Sequence, residues 1–411
     1  MLCWFCFYGR GVAFFMRRLF KLPAGAFPVS IFILYMVSYS GQAVYGSYLN
    51  LYLAGIGFSQ SQIGLTVSVS TCFVMLFQML WGALSDRAKA KNNVIRGLYL
   101  LCAVIILFYY TSVNYWIVLI VLTLYASVFT GVSPLLDNVV LELSEGQTWN
   151  FGQIRTGGTI GYCIAVLLTG FVIGDNYGRI FAITSVFLLC CFLLMQRMPN
   201  VSGHRSGTER SSFRLLLKNK PLMVVMAYYL AFSLGLSLFY SFYPIHFTSI
   251  GGTSAQVGIM LFFCAVTEIP CLMLAGRAVK RIGLDRVLII SGLVTVIRWV
   301  LLFFVQNPIA AILSNLLHGI GYIGFSYCVV VYINDHVPVD LRATGQSFNV
   351  LIGNVFSRVI FGYLGGLASQ VFGVNWVMLM SGAVLAGATL LFAIWSSRHR
   401  EGFVEPAAEQ A

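Results

Sequence analysis

Residues 134–162 read PLLDNVVLELSEGQTWNFGQIRTGGTIGY. The stretch sets a carboxylate, Asp137, near the end of one apolar run and an arginine, Arg155, at the mouth of the next, with a short polar hairpin between them. Read as the facing ends of two antiparallel, membrane-length helices, it aims two opposite charges at each other at a depth where polar groups are expensive. The rest of the chain builds a container around this pair or completes it.

Outward from that stretch the composition is that of a chain dissolved in lipid. Hydrophobic residues make up 59% and charged residues 9%, against roughly a quarter charged in soluble domains. The apolar runs last about 20 residues without two-residue alternation, so helices rather than barrel strands satisfy the backbone. There are 25 Lys and Arg against 13 Asp and Glu. They sit in alternate loops: Arg10, Arg17, Arg18 and Lys21, then Arg87, Lys89, Lys91 and Arg96, then Arg197 to Lys220, then Arg277, Lys280, Arg281 and Arg286. That asymmetry marks cytoplasmic loops. It reports topology in an inner cell membrane with both termini cytoplasmic, and argues against nucleic-acid binding. The cysteines lie mostly inside apolar runs and behave as small hydrophobes. Cys3 and Cys6 form a CxxC without the context of a redox or metal site, and Met16 looks like a natural start, with a basic segment directly before the first span.

Twelve spans are predicted, at about 28–53, 61–81, 94–112, 115–143, 152–173, 178–196, 222–247, 254–275, 287–305, 308–333, 346–372 and 374–396. The fold class is therefore all-α, with two six-helix bundles. A cytoplasmic tail (1–27) leads to the first bundle (28–196), a solvated basic linker (197–221), the second bundle (222–396) and a C-terminal tail (397–411). The halves share a pattern, as duplicated transporter folds do. Gly82 precedes Asp86, Arg87, Lys89 and Lys91 after the second span, and Gly276 precedes Arg277, Lys280, Arg281, Asp285 and Arg286 after the eighth. Gly82, Asp86, Arg87, Gly276 and Arg281 are read as gating loops, in which close helix approach and charge pairs lock neighbouring helices. Within the second half, counting along each helix puts Glu268, Arg298, His318 and Arg358 at similar depth, so each must face a cavity or a partner.

These residues resemble the major facilitator superfamily, whose signature loop the Gly82 stretch follows, with lysine and arginine replacing its aspartate and arginine in the second copy. Asp137 and Arg155 followed by Gly158, Thr159, Gly161 and Tyr162, together with Glu268, Arg298 and His318, resemble its lactose permease branch and the related oligosaccharide and nucleoside proton symporters. The resemblance spans the chain, including Arg342 to Gln346. It implies that Asp137 and Arg155 hold sugar hydroxyls, that Tyr162 stacks on the ring with Thr159 on the same face, and that the protein works as a monomer. Two positions depart from the permease. Gly321 stands where the permease carries a proton-binding glutamate, and Asn315 where it carries a lysine.

The chemistry agrees with that implication. A sugar or nucleoside needs an acceptor, a donor fork and an aromatic face; Asp137, Arg155 and Tyr162 supply one of each. From the other half His318, Asn315 and Glu268 add hydrogen bonds, and Tyr322, Gln42, Tyr45, Tyr48, Tyr240 and Tyr243 are candidate lining. Glu268 is the expected proton site, with Asp137 as alternate and Arg298, His318 and Arg358 as partners. The expected function is proton-coupled uptake of a sugar, oligosaccharide or nucleoside by alternating access, with lipid, substrate and proton as the partners. Counting Arg358 as buried leaves one positive charge over, which opens the alternative of an acidic sugar or aromatic acid; a multidrug antiporter is a further alternative. No GxxxxGK, HExxH or GxSxG occurs in its context, so neither enzyme nor cofactor is expected.

Overall fold

A computed structural model describes residues 28–147, 149–202, 216–338 and 341–399. The N-terminal CxxC, the start at Met16, most of the linker and the C-terminal tail lie outside these residues. Among those described, the chain is helical and runs as α1 (Val29–Gly55), α2 (Gln60–Arg87), α3 (Lys91–Tyr110), α4 (Tyr115–Ser144), α5 (Phe151–Ile173), α6 (Arg179–Met195), α7 (Lys220–Ser249), α8 (Ser254–Ile282), α9 (Leu284–Phe304), α10 (Pro308–His336), α11 (Arg342–Phe372) and α12 (Val374–Arg398). Ten of them are long and apolar enough to cross a membrane. The other two are α1 and the shorter apolar α6, and together they make the rods expected from the apolar runs. The chain is a multi-pass membrane protein.

Three helices outlast the apolar run that announced them. α2 continues to Arg87, α8 to Ile282 and α12 to Arg398, each with basic residues in its last turn. Cations there complement the negative end of the helix dipole, so the helix persists into the polar layer. This corrects the reading of Gly82, Asp86, Arg87, Gly276 and Arg281 as loop residues, since all are helical. The polar starts are capped locally. Thr253 and Gln256 bond reciprocally at the start of α8, as do Asn150 and Gln153 at the start of α5, at 2.9 and 3.1 Å. Each reciprocal pair satisfies donors that the first turn leaves over.

Three helices are irregular where function was expected. α4 breaks at Thr130 and Gly131, between Tyr115–Phe129 and Val132–Ser144. Pro134 has no N–H to offer the Thr130 carbonyl, and beside the break the Ser127 carbonyl accepts from Trp81 Nε1 at 2.7 Å. Glycine is required at 131 because a Cβ there would sit 2.8 Å from the Trp81 side chain. α10 tightens to a 3-10 turn over Asn315–Leu317, directly before His318. α11 carries a π-helical turn over Leu351–Phe356, directly before Ser357 and Arg358.

The chain packs as two units. Among the described residues, one comprises 28–48, Phe73–Thr169 and 176–202; the other comprises Leu49–Cys72, Gly170–Asp175 and 216–399. Tyr35, Tyr48, Tyr99, Tyr109, Tyr125 and Phe181 fill the core of the first. Phe232, Phe239 and Trp299 fill that of the second, where a side chain on Gly235 would collide with the Trp299 ring. In the second unit α2 also seats on α11: a Cβ on Gly64 would strike the Gly362 carbonyl, and Ser68 Oγ donates to the Val359 carbonyl at 2.8 Å.

Candidate functional site

In the first unit the site is built where α1 meets α5. Gly157, Gly158 and Gly161 bring the helices together: Cβ atoms on the first two would lie 2.8 Å from the Phe32 carbonyl and the Tyr39 ring, and one on Gly161 would overlap the Met36 carbonyl. Ser40 Oγ ties the contact, reaching the Met36 and Gly161 carbonyls at 2.8 and 3.0 Å. Small residues at such a seam let backbones approach within a bilayer. The approach delivers two tyrosines of α1, one turn apart, to the charges of the 134–162 stretch. Tyr35 Oη donates to Asp137 Oδ1 at 2.6 Å. The Arg155 guanidinium lies over the Tyr39 ring, 4.4 Å from its centroid. The two rings are parallel, 6.2 Å apart with planes 9° off, and Phe151 meets Tyr35 edge-on at 6.3 Å.

Asp137 and Arg155 do not pair with each other. Elsewhere Lys91 pairs with Glu142, and the His318 ring lies within 4.0 Å of Glu268. Asp137 and Arg155 each meet a tyrosine of α1 instead; neither Tyr35 nor Tyr39 is singled out in the sequence. Thr159 is exposed and Tyr162 half-buried on the same helix. The other candidates on α1 divide. Gln42 is exposed, Tyr45 bonds Tyr109 at 3.0 Å, and Tyr48 is buried against the Val166 carbonyl at 3.0 Å. The hydroxyls of Tyr45 and Tyr48 thus serve packing within the unit.

In the second unit α7, α8, α9 and α10 assemble a chain of polar groups. Arg298 Nη2 donates to Asn315 Oδ1 at 2.5 Å, and its Nη1 lies 3.2 Å from His318 Nδ1. His318 Nε2 lies 3.3 Å from Glu268 Oε1 and 3.1 Å from Tyr240 Oη. Phe239 supports the guanidinium from below, 4.2 Å from its carbon, and Cys264 Sγ donates to Asn315 Oδ1 at 3.2 Å. Exposure is confined to the acid end of the chain: Arg298 and His318 are each 2% exposed, while the Glu268 side chain is 30% exposed. Arginine has only donors, so the Arg298 contact makes Nδ1 an acceptor and puts the proton of neutral His318 on Nε2, facing Glu268 and Tyr240.

The sequence grouped Glu268, Arg298, His318 and Arg358 by depth, and the structure joins the first three. Arg358 is exposed on α11, because depth along a helix does not fix the face it presents. Asn315, expected to touch substrate, is fully buried and holds Arg298; its Nδ2 donates to the Ala311 carbonyl at 3.0 Å. Phe239 and Cys264 lacked any signal beyond their neighbours. Gly321 also acquires a physical reason: a Cβ there would collide with Thr295 Oγ1, and one on Gly324 with Ser291 Oγ. A carboxylate at 321 has no room between α9 and α10.

After α2 the side-chain contacts are made by Lys91 and Asn92. Lys91 Nζ pairs with Glu142 Oε1, their side chains 9% and 35% exposed. Asn92 holds the first residues of the linker through the Pro199 carbonyl at 3.0 Å and the Val201 N–H at 2.9 Å. Asp86 is half-buried and Arg87 exposed. A side chain on Gly82 would meet nothing within 4 Å, whereas one on Gly276 would lie 3.1 Å from Tyr327 Oη. In the second copy Arg281 is exposed.

Residues 29–380 match the model of the MFS_1 like family. The chain is 25% identical over 354 residues to the uncharacterized transporter YwbF of Bacillus subtilis, covering 85% of this chain and 88% of that one. It is 25% identical over 316 residues to a maltose permease of Geobacillus stearothermophilus, covering 74% and 79%. The crystal structure of the nucleoside transporter NupG superposes with a TM-score of 0.75, over 89% of this chain and 98% of that one, at 16% identity. The sequence match over most of the chain and the shared helical fold lead to one conclusion: this protein belongs to the MFS_1 like family and is a membrane transporter of the major facilitator superfamily.

Proposed function

We propose that the protein is a proton symporter for a neutral, hydroxyl-rich substrate, a sugar, oligosaccharide or nucleoside, working by alternating access as a monomer in the cytoplasmic membrane with both termini inside. The observation that carries the reading is the chain Arg298–His318–Glu268, buried at the arginine and the histidine and partly exposed at the glutamate. Its inner end is a dry, permanent cation, and its outer end is a carboxylate whose side chain is 30% exposed. A proton on His318 would set N–H against the N–H of Arg298, so the neutral imidazole transmits the charge and Glu268 is the group that loads and releases. Protonating Glu268 removes the anion that balances Arg298 through the ring. The chain then has two electrostatic states, as a coupled transporter requires.

In the first unit Asp137 accepts from substrate hydroxyls and Arg155 donates to them, with Thr159 and the face of Tyr162 beside them. Asn315 and Phe239 act by positioning Arg298. The acidic-substrate alternative rested on a buried excess cation. With Arg358 exposed, Asp137 and Glu268 match Arg155 and Arg298 in number, which favours a neutral cargo.

The test is uptake and counterflow of radiolabelled maltose and uridine in proteoliposomes. Glu268→Gln should keep counterflow of the carried substrate within about threefold and lose gradient-driven accumulation more than roughly tenfold, the behaviour of a carrier whose proton site is fixed neutral. Accumulation that keeps its full dependence on the proton gradient would overturn Glu268 as the proton site.

A further inference from the structure

The sequence aims Asp137 and Arg155 at each other, and in the structure each of them meets a tyrosine of α1. A direct pair would satisfy both groups internally, and substrate would have to break it before binding. Here Tyr35 donates to one carboxylate oxygen, at 2.6 Å, from a fully buried ring, which anchors that oxygen and leaves the second able to accept. Tyr39 takes the guanidinium on its face at 4.4 Å, a contact that holds the cation through the ring and leaves N–H donors of the fork available. The parallel stacking of the two rings makes one rigid spacer, set on α5 by Gly157, Gly158 and Gly161.

We infer that Tyr35 and Tyr39 are positioning residues for substrate recognition, which hold Asp137 and Arg155 apart so that one acceptor and one donor fork stay available to a ligand hydroxyl. A hydroxyl both donates and accepts, so it can bridge the separated charges; a ligand with a lone carboxylate or a lone ammonium satisfies only one of them. The inference rests on the reading of Asp137 and Arg155 as substrate contacts, and it adds two residues and a reason for selectivity.

Full-length protein in proteoliposomes, assayed with radiolabelled maltose and uridine, provides the test. Tyr35→Phe removes only the hydroxyl, and KM for the carried probe should rise roughly tenfold, a loss of about 1.4 kcal/mol in binding, with the maximal rate within about twofold. Tyr39→Leu, which deletes the ring face, should do the same, and Tyr39→Phe, which keeps it, should restore KM to within about twofold of the parent. A merely structural role would lower the amount of folded carrier or the maximal rate in all three and leave KM alone; that pattern overturns the inference. If the parent protein carries neither probe, the proposed function fails on its own account. An experimental structure of the Tyr35→Phe protein then decides the inference separately: the Asp137 carboxylate should close to within hydrogen-bonding distance of Arg155, and an unmoved carboxylate overturns it.

Discussion

The two charged clusters use the same residue types in opposite ways. In the first unit an acid and an arginine are kept apart by tyrosines and both stay half-buried. In the second an arginine is sealed off, and its nearest acid is reached only through an imidazole. Separation leaves hydrogen-bonding capacity for a guest. Linkage through a neutral ring consumes that capacity and converts it into sensitivity to a single proton. The sharpest way to break this contrast is to remove the sealed charge. Arg298→Ala leaves His318 Nδ1 without its donor, at about 1–3 kcal/mol for an acceptor left dry, and leaves Asn315 Oδ1 with only the weak Cys264 thiol donor. Arg298→Lys cannot restore both, because a point charge lacks the fork that spans them. Both variants should lose transport by more than roughly a hundredfold and lower the melting temperature in detergent. In the first unit Arg155→Lys should be milder, losing affinity while keeping the fold. Equal losses at the two arginines would erase the distinction between a binding site and a coupling site.

How much of this was legible in the sequence follows from what sequence can encode. Apolar runs and alternating basic loops gave the helices and their order, because lipid imposes both. Asp137, Arg155, Glu268, Arg298 and His318 stood out because charges in apolar runs are rare. Their partners did not. Whether Arg358 or Arg298 faces inward depends on helix rotation, which packing sets, and Tyr35 and Phe239 are ordinary aromatics until α1 and α7 are placed. The role of Asn315 was misjudged for the same reason, since an amide in a helix can face a guest or a neighbour. The extensions of α2 and α8 were missed because hydropathy ends before the helix does.

Gly321 offers a more moderate test of the same contrast. If the second cluster works with Glu268 as its proton site, adding a carboxylate at 321 should not add a second carrier, because Thr295 and the α9 backbone occupy its place. Gly321→Ala should already cost about 1–3 kcal/mol by overpacking, read as a fall in melting temperature. Gly321→Glu should cost more and leave the proton stoichiometry of any residual transport unchanged. A folded Gly321→Glu protein that couples in the Glu268→Gln background would show that the seam between α9 and α10 can open to house a second carboxyl group.

The smallest effect is expected at the far end of the 134–162 stretch, and it decides how Asp137 is held. The segment Val132–Ser144 has 13 residues, too few to be stable as an isolated helix. It is fixed at one end by the break beside Trp81 and near the other by Lys91 and Glu142. Tyr35 meets Asp137 between these two supports, so its short hydrogen bond needs both. Glu142 is about a third exposed, and its pair with Lys91 should be worth on the order of 1 kcal/mol after solvent screening. Lys91→Glu and Glu142→Lys should each raise KM about two- to fivefold, and the double exchange should recover most of it, since only the sense of the pair is reversed. Recovery in the double variant would mean that the pair itself steadies Asp137. Additive losses would mean that each residue acts elsewhere, Lys91 through the linker bound to Asn92, and that the hinge at Gly131 alone positions the carboxylate.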